Sequence, residues 1–425
     1  MNFIKVENDR VMETKAPKGT QDIIAPEVYG WQYVERIAHA HFRSYNYHEI
    51  RTPIFEHLEL FQRSVGESTD IVKKQMYVFT DLSGREYVLR PENTASVCRA
   101  FIEHSMQLQP GSRRVYYIGP MFRYEKMQKG RFRQFHQIGV EVLGDEHPAT
   151  DAEVIQMGYS FLERIRCTNL EVEICSVGCP KCRPAYNDAL KKTFSECIDK
   201  MCDDCKDRLM RNPLRILDCK NEKCAPMLEK APRIFEYLCE ECTIHFEKVK
   251  YYLAKLGVLF SINPFLVRGL DYYTKTAFEI KSGSLGSQNS VLGGGRYDGL
   301  IADLGGPPVC GIGFAIGIER MLLSMVDPRY SFPAIDYYII PLNEDAIVLS
   351  LEISKAIRMK DMICEVAYEP TSMKSALRLA HKLNARKTIL LGEDEVKQKI
   401  LTIKDMLTGE QVAVPVTEFM KQIAG

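Results

Sequence analysis

The sequence predicts an α+β domain built on an antiparallel sheet, interrupted by a helical insertion and followed by a small α/β domain. Strand-like segments joined by tight turns fill most of the first part of the chain. Residues 180–256 are instead charged, helical in period and rich in cysteine. After residue 334 the pattern becomes β-α-β-α-β-β, which is typical of an α/β domain with a largely parallel sheet.

The first elements follow from local patterns. Residues 26–47 predict a helix, and HEIRTPIFE (48–56) predicts a strand whose proline suits an edge. Residues 76–90 predict a hairpin that turns at Ser83-Gly84. PENTASVCRAFIEH (91–104) predicts a helix with a proline in its first turn.

Later elements are predicted in the same way. Residues 115–143 predict two strands on either side of a basic loop, and residues 151–165 predict a helix. LEVEICSVG (170–178) predicts a strand, and strand character returns at residues 259–281 after the insertion. VCGIGFAIGIERMLLSM (309–325) predicts a strand that runs into a helix.

These elements divide the chain into segments. We expect an N-terminal extension at residues 1–15 and a first domain at residues 16–326, with the helical cysteine-rich insertion at about 180–256. DPRYSFPA (327–334) predicts a linker, and residues 335–425 predict the α/β domain.

Composition narrows the class of protein. The chain of 425 residues has 56 basic and 56 acidic side chains and 45% apolar residues, as in ordinary soluble domains. It has no apolar run long enough for a membrane span and no signal-peptide core at its start. We therefore expect a cytoplasmic protein without a membrane partner. A nucleic-acid partner remains compatible, because it requires only a locally basic face.

The basic loop concentrates positive charge. Seven Lys or Arg residues and a single acid, Glu125, lie between Arg113 and Arg133. We expect Arg123, Arg131 and Arg133 to bind nucleotide phosphates, with the last two on one strand face. The alternative is a solvated basic hairpin.

Polar residues in other predicted strands mark further candidates. Gln137 and Glu141 share a strand face, and a carboxylate there can hold a cation or an imidazole N–H. An exposed strand face is the alternative. Arg268 opens RGLDYYTKTAFEI, an unusual start for a core strand. The glycines of GIGFAIGIER miss the dinucleotide-binding spacing, so we expect them to permit close backbone approach, with Arg320 at the same cavity.

The cysteines predict a structural metal site. Eight of the fourteen form four pairs between Cys179 and Cys242, and without a signal peptide disulfides are not expected. The spacing predicts a zinc quartet of Cys179, Cys182, Cys202 and Cys205, and the later pairs supply a possible second quartet. How the pairs combine stays open. So does the alternative that they are reduced thiols tolerated in a helical core.

Together these segments resemble the class II aminoacyl-tRNA synthetases, and among them the histidyl-tRNA synthetases, from Ala16 to the C-terminus. YHEIRTPIFE resembles the first class II motif, which builds the dimer interface. GPMFRYEK with GRFRQFHQIGVEVLG resembles the second motif, and GIGFAIGIER the third. RGLDYYTKTAFEI resembles the segment that distinguishes histidyl enzymes.

The resemblance implies an activity and partners. It implies that ATP, with Mg²⁺, activates L-histidine to histidyl-adenylate, and that the histidyl group passes to the 3′ end of tRNA(His). It also implies a homodimer and a C-terminal anticodon-binding domain, in which Lys374, Arg378 and Lys382 are a plausible phosphate stripe or a solvated helix face. No editing domain is expected. The family does not imply zinc, because many relatives have the insertion without the cysteine pairs.

The resemblance also implies roles for individual residues. Arg123 and Arg268 are the implied catalytic residues. The implied histidine-binding residues are Glu92, Asn93, Thr94, Arg123, Gln137, Glu141, Arg268, Tyr272, Tyr273 and Tyr297. The implied ATP-binding residues are Arg123, Arg131, Phe135 and Arg320.

Two rival functions remain. One is a synthetase-like regulatory subunit of ATP phosphoribosyltransferase, which shares the fold but typically lacks the anticodon-binding domain and loses catalytic arginines. The other is a zinc-dependent nucleic-acid-binding protein without enzymatic activity. The second rests on the cysteines alone and leaves the PENT, RGLDYY and GIER segments unexplained.

Overall fold

A computed structural model describes residues 14–66, 69, 71–283, 289–326, 334–369 and 372–424. The chain divides into two compact units, Met1–Pro328 and Arg329–Gly425. Almost all of the predicted extension (1–15) and linker (327–334) lies outside the described residues.

The first unit contains helices and strands in the following chain order. Before the insertion they are α1 (Glu27–Ser44), β1 (His48–Glu49), β2 (Phe55–His57), α2 (Leu58–Val65), β3 (Tyr77–Thr80), β4 (Glu86–Leu89), α3 (Thr94–Glu103), β5 (Arg113–Phe122), β6 (Gln134–Leu143), α4 (Pro148–Arg164) and β7 (Leu170–Ser176). The insertion carries α5 (Arg183–Ser195), α6 (Asp203–Arg211), α7 (Ala225–Leu228) and α8 (Glu240–Lys255), with 3₁₀ turns between them. After it come β8 (Phe260–Ile262), β9 (Thr274–Ser282), β10 (Ser290–Arg296), α9 (Leu300–Asp303), β11 (Gly311–Gly317) and α10 (Ile318–Ser324).

The main sheet confirms the predicted antiparallel α+β architecture. Among the described residues it has eight strands in the order β1-β5-β6-β11-β10-β9-β7-β8. The strands from β5 to β7 in that order pair antiparallel, and only the outer pairs β1–β5 and β7–β8 are parallel. Apolar residues of α1, α4, α8 and α10 bury their helical faces together with the sheet in one core. On the opposite face a second apolar cluster packs β5 against α3 and α9, and polar side chains of β6 lie beside it.

The predicted strand at residues 48–56 is divided in two. Its first part, β1, joins the main sheet, and its second part, β2, joins a three-stranded sheet in the order β2-β4-β3. Pro53 lacks an N–H and restricts the residue before it, so the ladder breaks between the two. The buried Arg90 guanidinium donates to the carbonyl oxygens of Thr52 and Pro53, at 3.0 and 3.3 Å, and satisfies the broken segment.

A buried polar cluster ties the end of the insertion to the sheet. The Asp151 carboxylate on α4 accepts a hydrogen bond of 2.6 Å from Arg296 of β10, and Arg296 is fully buried. His245 of α8 lies 2.8 Å from the same carboxylate, and Thr276 of β9 donates to it at 2.6 Å. Breaking one partner of the buried Arg296–Asp151 ion pair costs about 3–5 kcal/mol, so the pair fixes α4 on β10, and the His245 contact places α8 beside them.

The second unit contains β12 (Ile335–Pro341), α11 (Glu344–Arg358), β13 (Cys364–Val366), α12 (Met373–Lys382), β14 (Ala385–Leu391), α13 (Glu393–Gln398), β15 (Ile400–Asp405), β16 (Gln411–Pro415) and α14 (Val416–Ala424). Its sheet has the order β13-β12-β14-β15-β16. β13, β12 and β14 are parallel, as predicted, but β15 and β16 pair antiparallel. The parallel part of the sheet is therefore as expected, whereas α13 and β16 were not predicted, and the chain turns back after α13 so that β15 pairs antiparallel with β14.

Within the described part of the chain, none of the helices combines the length and the hydropathy that crossing a membrane requires.

Candidate active site

The face of the main sheet opposite α1 and α4 borders a small cavity of about 150 Å³. Most of the side chains predicted to bind histidine line it, namely Glu92, Thr94, Arg123, Gln137, Glu141, Arg268, Tyr272, Tyr273 and Tyr297. They come from distant segments, because β6, β10 and β11 are neighbours in the sheet and the loop before β9 lies over them. The structure thus brings together what the sequence marked separately.

Glu141 is buried in the wall of this cavity. Its Oε1 accepts a hydrogen bond of 2.7 Å from the Thr94 hydroxyl, and its Oε2 accepts one from the Tyr297 hydroxyl. The Tyr117 hydroxyl lies 3.5 Å from Oε1. Burial raises the pKa of Glu141 from 4.5 to about 8, and these hydroxyl donors oppose the rise. The carboxylate is therefore held in place but poorly solvated.

Glycines on neighbouring strands make room for these side chains. Gly313 of β11 pairs with Glu141, and a Cβ at position 313 would lie 1.9 Å from Glu141 Oε2. At Gly293 of β10 a Cβ would lie 1.8 Å from an Arg268 guanidinium nitrogen. The expected close approach at the glycines of GIGFAIGIER therefore occurs, and it accommodates a side chain of the protein itself.

The PENT segment supplies a second buried carboxylate. Glu92 accepts hydrogen bonds from the backbone N–H groups of Thr94 and Ala95, at 2.7 and 3.0 Å, in the first turn of α3. Burial raises its pKa. Asn93, predicted with its neighbours, does not line the cavity, because its side-chain oxygen accepts from Thr52 at 2.6 Å and from Arg90 at 3.3 Å.

Two polar atoms at the cavity are left without partners. The Oε1 of Gln137 and the Nε of Arg268 are buried and make no hydrogen bond to any described residue. An unpaired buried polar atom costs about 1–3 kcal/mol, so each is an acceptor or a donor available to a ligand. Arg268 is also held by Glu279, whose carboxylate lies 3.3 Å away.

A larger cavity of about 840 Å³ adjoins the small one and shares Arg123, Gln137 and Arg268 with it. The other predicted ATP-binding residues, Arg131, Phe135 and Arg320, line it. The Arg123 guanidinium lies 5.2 Å from the centre of the Phe135 ring and donates to the Pro91 carbonyl at 2.8 Å. The cavity therefore offers several cations and an aromatic face.

The predicted strand face of Arg131 and Arg133 is wrong. β6 begins only at Gln134, and Gly130 adopts a left-handed φ of 71° in a turn that pairs Gln128 with Arg131. Arg131 still reaches the larger cavity from this turn, whereas Arg133 lies 3.9 Å from the centre of the Tyr124 ring and does not line it.

Three residues at the site were missed by sequence reasoning. Tyr117 lines the small cavity, Glu125 pairs with Arg131 at 3.4 Å, and Glu279 pairs with Arg268. Tyr117 lies in an apolar strand and is indistinguishable there from a core residue. Glu279, an acid flanked by Phe278 and Ile280 in a strand, was a usable signal.

The cysteine pairs combine differently from the predicted quartet. Within the described residues the sulfur atoms form two groups, Cys179, Cys182, Cys239 and Cys242, and Cys202, Cys205, Cys219 and Cys224, each within 4.8 Å. Cys179 and Cys182 therefore do not join Cys202 and Cys205. The insertion leaves the sheet after β7 and returns through α8, so its first and last pairs meet and the middle pairs are enclosed between them. Each group could hold a metal ion.

Comparisons with known proteins agree with this site. A family model described as histidyl-tRNA synthetase matches residues 19–321, and one described as anticodon binding domain matches residues 336–425. The histidine–tRNA ligase of Halothermothrix orenii is 48% identical over 415 residues, which cover 97% of this chain and 99% of that protein. The histidine–tRNA ligase of Bacillus subtilis is 47% identical over 410 residues, which cover 95% and 97%.

A solved structure is similar over the same extent. The crystal structure of apo histidyl-tRNA synthetase from S. aureus matches with a TM-score of 0.81 at 36% identity, covering 97% of this chain and 100% of that chain. The family models, the full-length relatives and the fold agree with the residues gathered at the cavity. The chain belongs to the histidyl-tRNA synthetase family.

Proposed function

We propose that the protein is a histidine–tRNA ligase, which activates L-histidine with ATP and transfers it to tRNA(His). The observation that carries this is the pair of adjoining cavities. A small one is lined by buried carboxyl groups and tyrosines, and a larger one is lined by several arginines and by Phe135. The two share Arg123 and Arg268, so an amino acid and a nucleotide would meet at these residues.

The small cavity suits histidine. We assign the imidazole nitrogens to Glu141 and Tyr273, and the α-amino group to Glu92, Thr94 and the unpaired Oε1 of Gln137. Tyr272 and Tyr297 close the pocket. A site whose buried polar groups need a ring with two nitrogens rejects analogues that lack them by about 10⁴-fold or more, so no editing is required.

The arginines serve the activation step. The histidine carboxylate attacks the α-phosphate of ATP and displaces pyrophosphate, so no side-chain nucleophile is needed. Both reacting groups are anionic, and Arg123 offsets their repulsion where the cavities join. Arg268, held by Glu279, stabilises the additional negative charge of the pentavalent centre from the other side.

The larger cavity is assigned to ATP. Arg131 binds the polyphosphate, and Phe135 and Arg320 sandwich the adenine. Mg²⁺ neutralises phosphate charge when bound. Glu125 and Glu279 line this cavity and offer the oxygen ligands that Mg²⁺ prefers.

The macromolecular partners follow from the rest of the chain. Residues 336–425 are assigned to the anticodon arm of tRNA(His). A homodimer is proposed because apolar residues of the three-stranded sheet, Phe55, Val78 and Phe79, are 51%, 46% and 42% exposed. The proposed place of action is the cytoplasm, where tRNA is charged.

Zinc is the proposed metal of both cysteine quartets. Four sulfur ligands in tetrahedral contact fill its coordination sphere and leave no position for substrate. The proposed role is therefore structural.

Histidine-dependent ATP–pyrophosphate exchange tests the function. We expect exchange with histidine and with no other standard amino acid. Arg268→Ala should lower exchange by about 10²-fold or more at nearly unchanged stability, because a transition-state cation is lost. Arg63→Ala, an exposed arginine on α2, is the control and should retain full exchange. Exchange with another amino acid alone contradicts the specificity, and normal exchange in Arg268→Ala contradicts its role.

The regulatory-subunit alternative is not favoured. The chain has the segment that matches the anticodon-binding model, and Arg123, Arg268 and Arg320 all line the cavities.

A further inference from the structure

We infer that the metal of the second quartet, Cys202, Cys205, Cys219 and Cys224, is a positioning element for the catalytic Arg268. This rests on the proposed ligase function and extends it, because it gives one of two similar metal sites a role in amino-acid activation. The other quartet closes the ends of the insertion, and among the described residues its segment bonds to Lys275, at the start of β9, rather than to Arg268.

Both quartets have the dimensions of a tetrathiolate zinc site. A tetrahedron with Zn–S bonds of about 2.3 Å places sulfurs about 3.8 Å apart. The Cys202 and Cys219 sulfurs are 3.7 Å apart, and Cys179 lies 3.6 Å from Cys182 and 3.8 Å from Cys239. A disulfide requires about 2.05 Å.

Each quartet has a backbone N–H that donates to one of its sulfur atoms, as in tetrathiolate metal sites. The backbone N–H of Cys202 donates to Cys224 Sγ at 3.3 Å, and the N–H of Cys239 donates to Cys182 Sγ at 3.1 Å. Cys202 and Cys239 occupy the N-cap positions of α6 and α8, where the helix dipole favours negative charge. Metal binding releases the thiol protons to solvent.

The segment between the ligand pairs of the second quartet holds the loop that carries Arg268. Arg215, which is buried, donates to the main-chain carbonyl of Arg268 at 2.5 Å. Asn212 donates to the Asp271 carboxylate at 3.0 Å. Both residues lie between Cys205 and Cys219, so a metal that fixes these cysteines fixes the two ends of the segment.

The same segment forms part of the ATP cavity. Residues 217–221, which include Cys219, line the larger cavity together with Arg268. The metal would therefore hold one wall of the nucleotide site as well as the backbone of its catalytic arginine. A displacement of about 1 Å at such a group can lower a rate by 10²-fold.

The first quartet provides the matched comparison. Its cysteines follow β7 and begin α8, where they join the start of the insertion to its end. Cys197, within the insertion but in neither quartet, is the control for loss of a thiol.

Metal content and kinetics together test the inference. We expect two zinc ions per chain in wild-type protein and in Cys197→Ser, and one in Cys219→Ser and in Cys242→Ser. Cobalt substitution should give the sulfur-to-metal charge-transfer absorption of a tetrathiolate, halved in each single variant.

Pyrophosphate exchange then separates the two sites. Cys219→Ser should lower kcat by about tenfold or more with a much smaller change in the KM for histidine, and Arg215→Ala should reproduce this with both metals retained. The loss of activity in Cys242→Ser should be less than half of the loss in Cys219→Ser. Cys219→His, which restores a zinc ligand, should recover both the metal and most of kcat.

The contradicting results are distinct from failure of the ligase assignment. Metal-free wild-type protein that exchanges with histidine overturns this inference and leaves the proposed function intact. So does a Cys219→Ser protein that has lost its metal but exchanges like Cys197→Ser. Absence of histidine-dependent exchange in zinc-loaded wild-type protein would instead contradict the function itself.

Discussion

At the scale of single residues, the Glu141 side chain is controlled both by hydrogen bonds and by burial. Thr94 and Tyr297 orient the carboxylate, and burial raises its pKa to about 8. In the proposed complex, a histidine ring that donates an N–H to Glu141 stabilises the ionised carboxylate, which the free site keeps protonated at neutral pH. Because a buried polar group without a partner is unfavourable, a ligand that supplies the partner binds better than one that does not.

The raised pKa has a measurable effect on stability. Between about pH 5 and pH 8 native Glu141 holds a proton that the unfolded chain releases, so its contribution to stability falls as the pH rises. Glu141→Gln removes this titration. We expect the melting temperature of the variant to increase relative to wild type as pH rises, and the difference to level off above about pH 8, as measured by calorimetry.

Tyr297→Phe is the matched control, because it removes a hydrogen-bond donor but retains the carboxyl group. Its stability should still fall between pH 5 and pH 8, and the fall should extend to higher pH because the Tyr297 donor that opposes the rise in pKa is lost. If the difference in melting temperature between Glu141→Gln and wild type stays constant from pH 5 to pH 8, the buried carboxyl group does not have a raised pKa.

At the scale of elements, α12 is the clearest candidate for an RNA contact. Lys374, Arg378 and Lys382 recur every four residues along this helix, and all three are exposed. Ala376 and Ala380 on the same helix are buried in the core of the second unit. The helix is therefore fixed by its apolar face while its basic residues remain available to phosphates.

Arg378→Ala should weaken tRNA binding in a salt-dependent way. Each lost phosphate contact lowers the slope of log affinity against log salt concentration by roughly 0.7–0.9. Filter binding over a range of salt concentrations measures this slope. Lys355→Ala, an exposed lysine of α11, should leave it unchanged, and an equal effect of both variants would argue against a specific stripe.

At the scale of the whole molecule, the two compact units have separate cores. The cavities and both cysteine quartets lie in the unit that ends at residue 328, and the residues that match the anticodon-binding model lie in the other. Activation of histidine and recognition of the anticodon arm are thus assigned to different units.

Removal of residues 329–425 should separate the two activities. We expect the remaining protein to keep histidine-dependent pyrophosphate exchange within about tenfold, because every proposed activation residue is retained. Aminoacylation of tRNA(His) should fall by about 10²-fold or more as phosphate contacts are lost. Equal losses of both activities, in a protein shown by calorimetry to be folded, would contradict the separation.

The sequence predicts the site correctly where side chains follow the two-residue repeat of a β-strand. Alternation along one strand placed Gln137 and Glu141 on one face, and both line the cavity. The prediction was wrong where a turn or the path of a long segment determines which side chains meet. The turn at Gly130 removed Arg131 and Arg133 from the strand, and the path of the insertion joined Cys179 to Cys239 across sixty residues. Local spacing identifies cysteine pairs but not which pairs meet.

The close approach of Glu141 to Gly313 also limits how the sequence can change over time. A side chain at position 313 leaves no space for the carboxylate, so glycine must already be present before glutamate can be accepted at 141. The Val140 carbonyl oxygen would also lie 2.3 Å from a Cβ at position 313, so the backbone excludes a larger residue there even in a chain that has lost the glutamate. The glycine at 313 is therefore an older constraint than the glutamate, and it persists in a descendant that no longer needs the carboxylate.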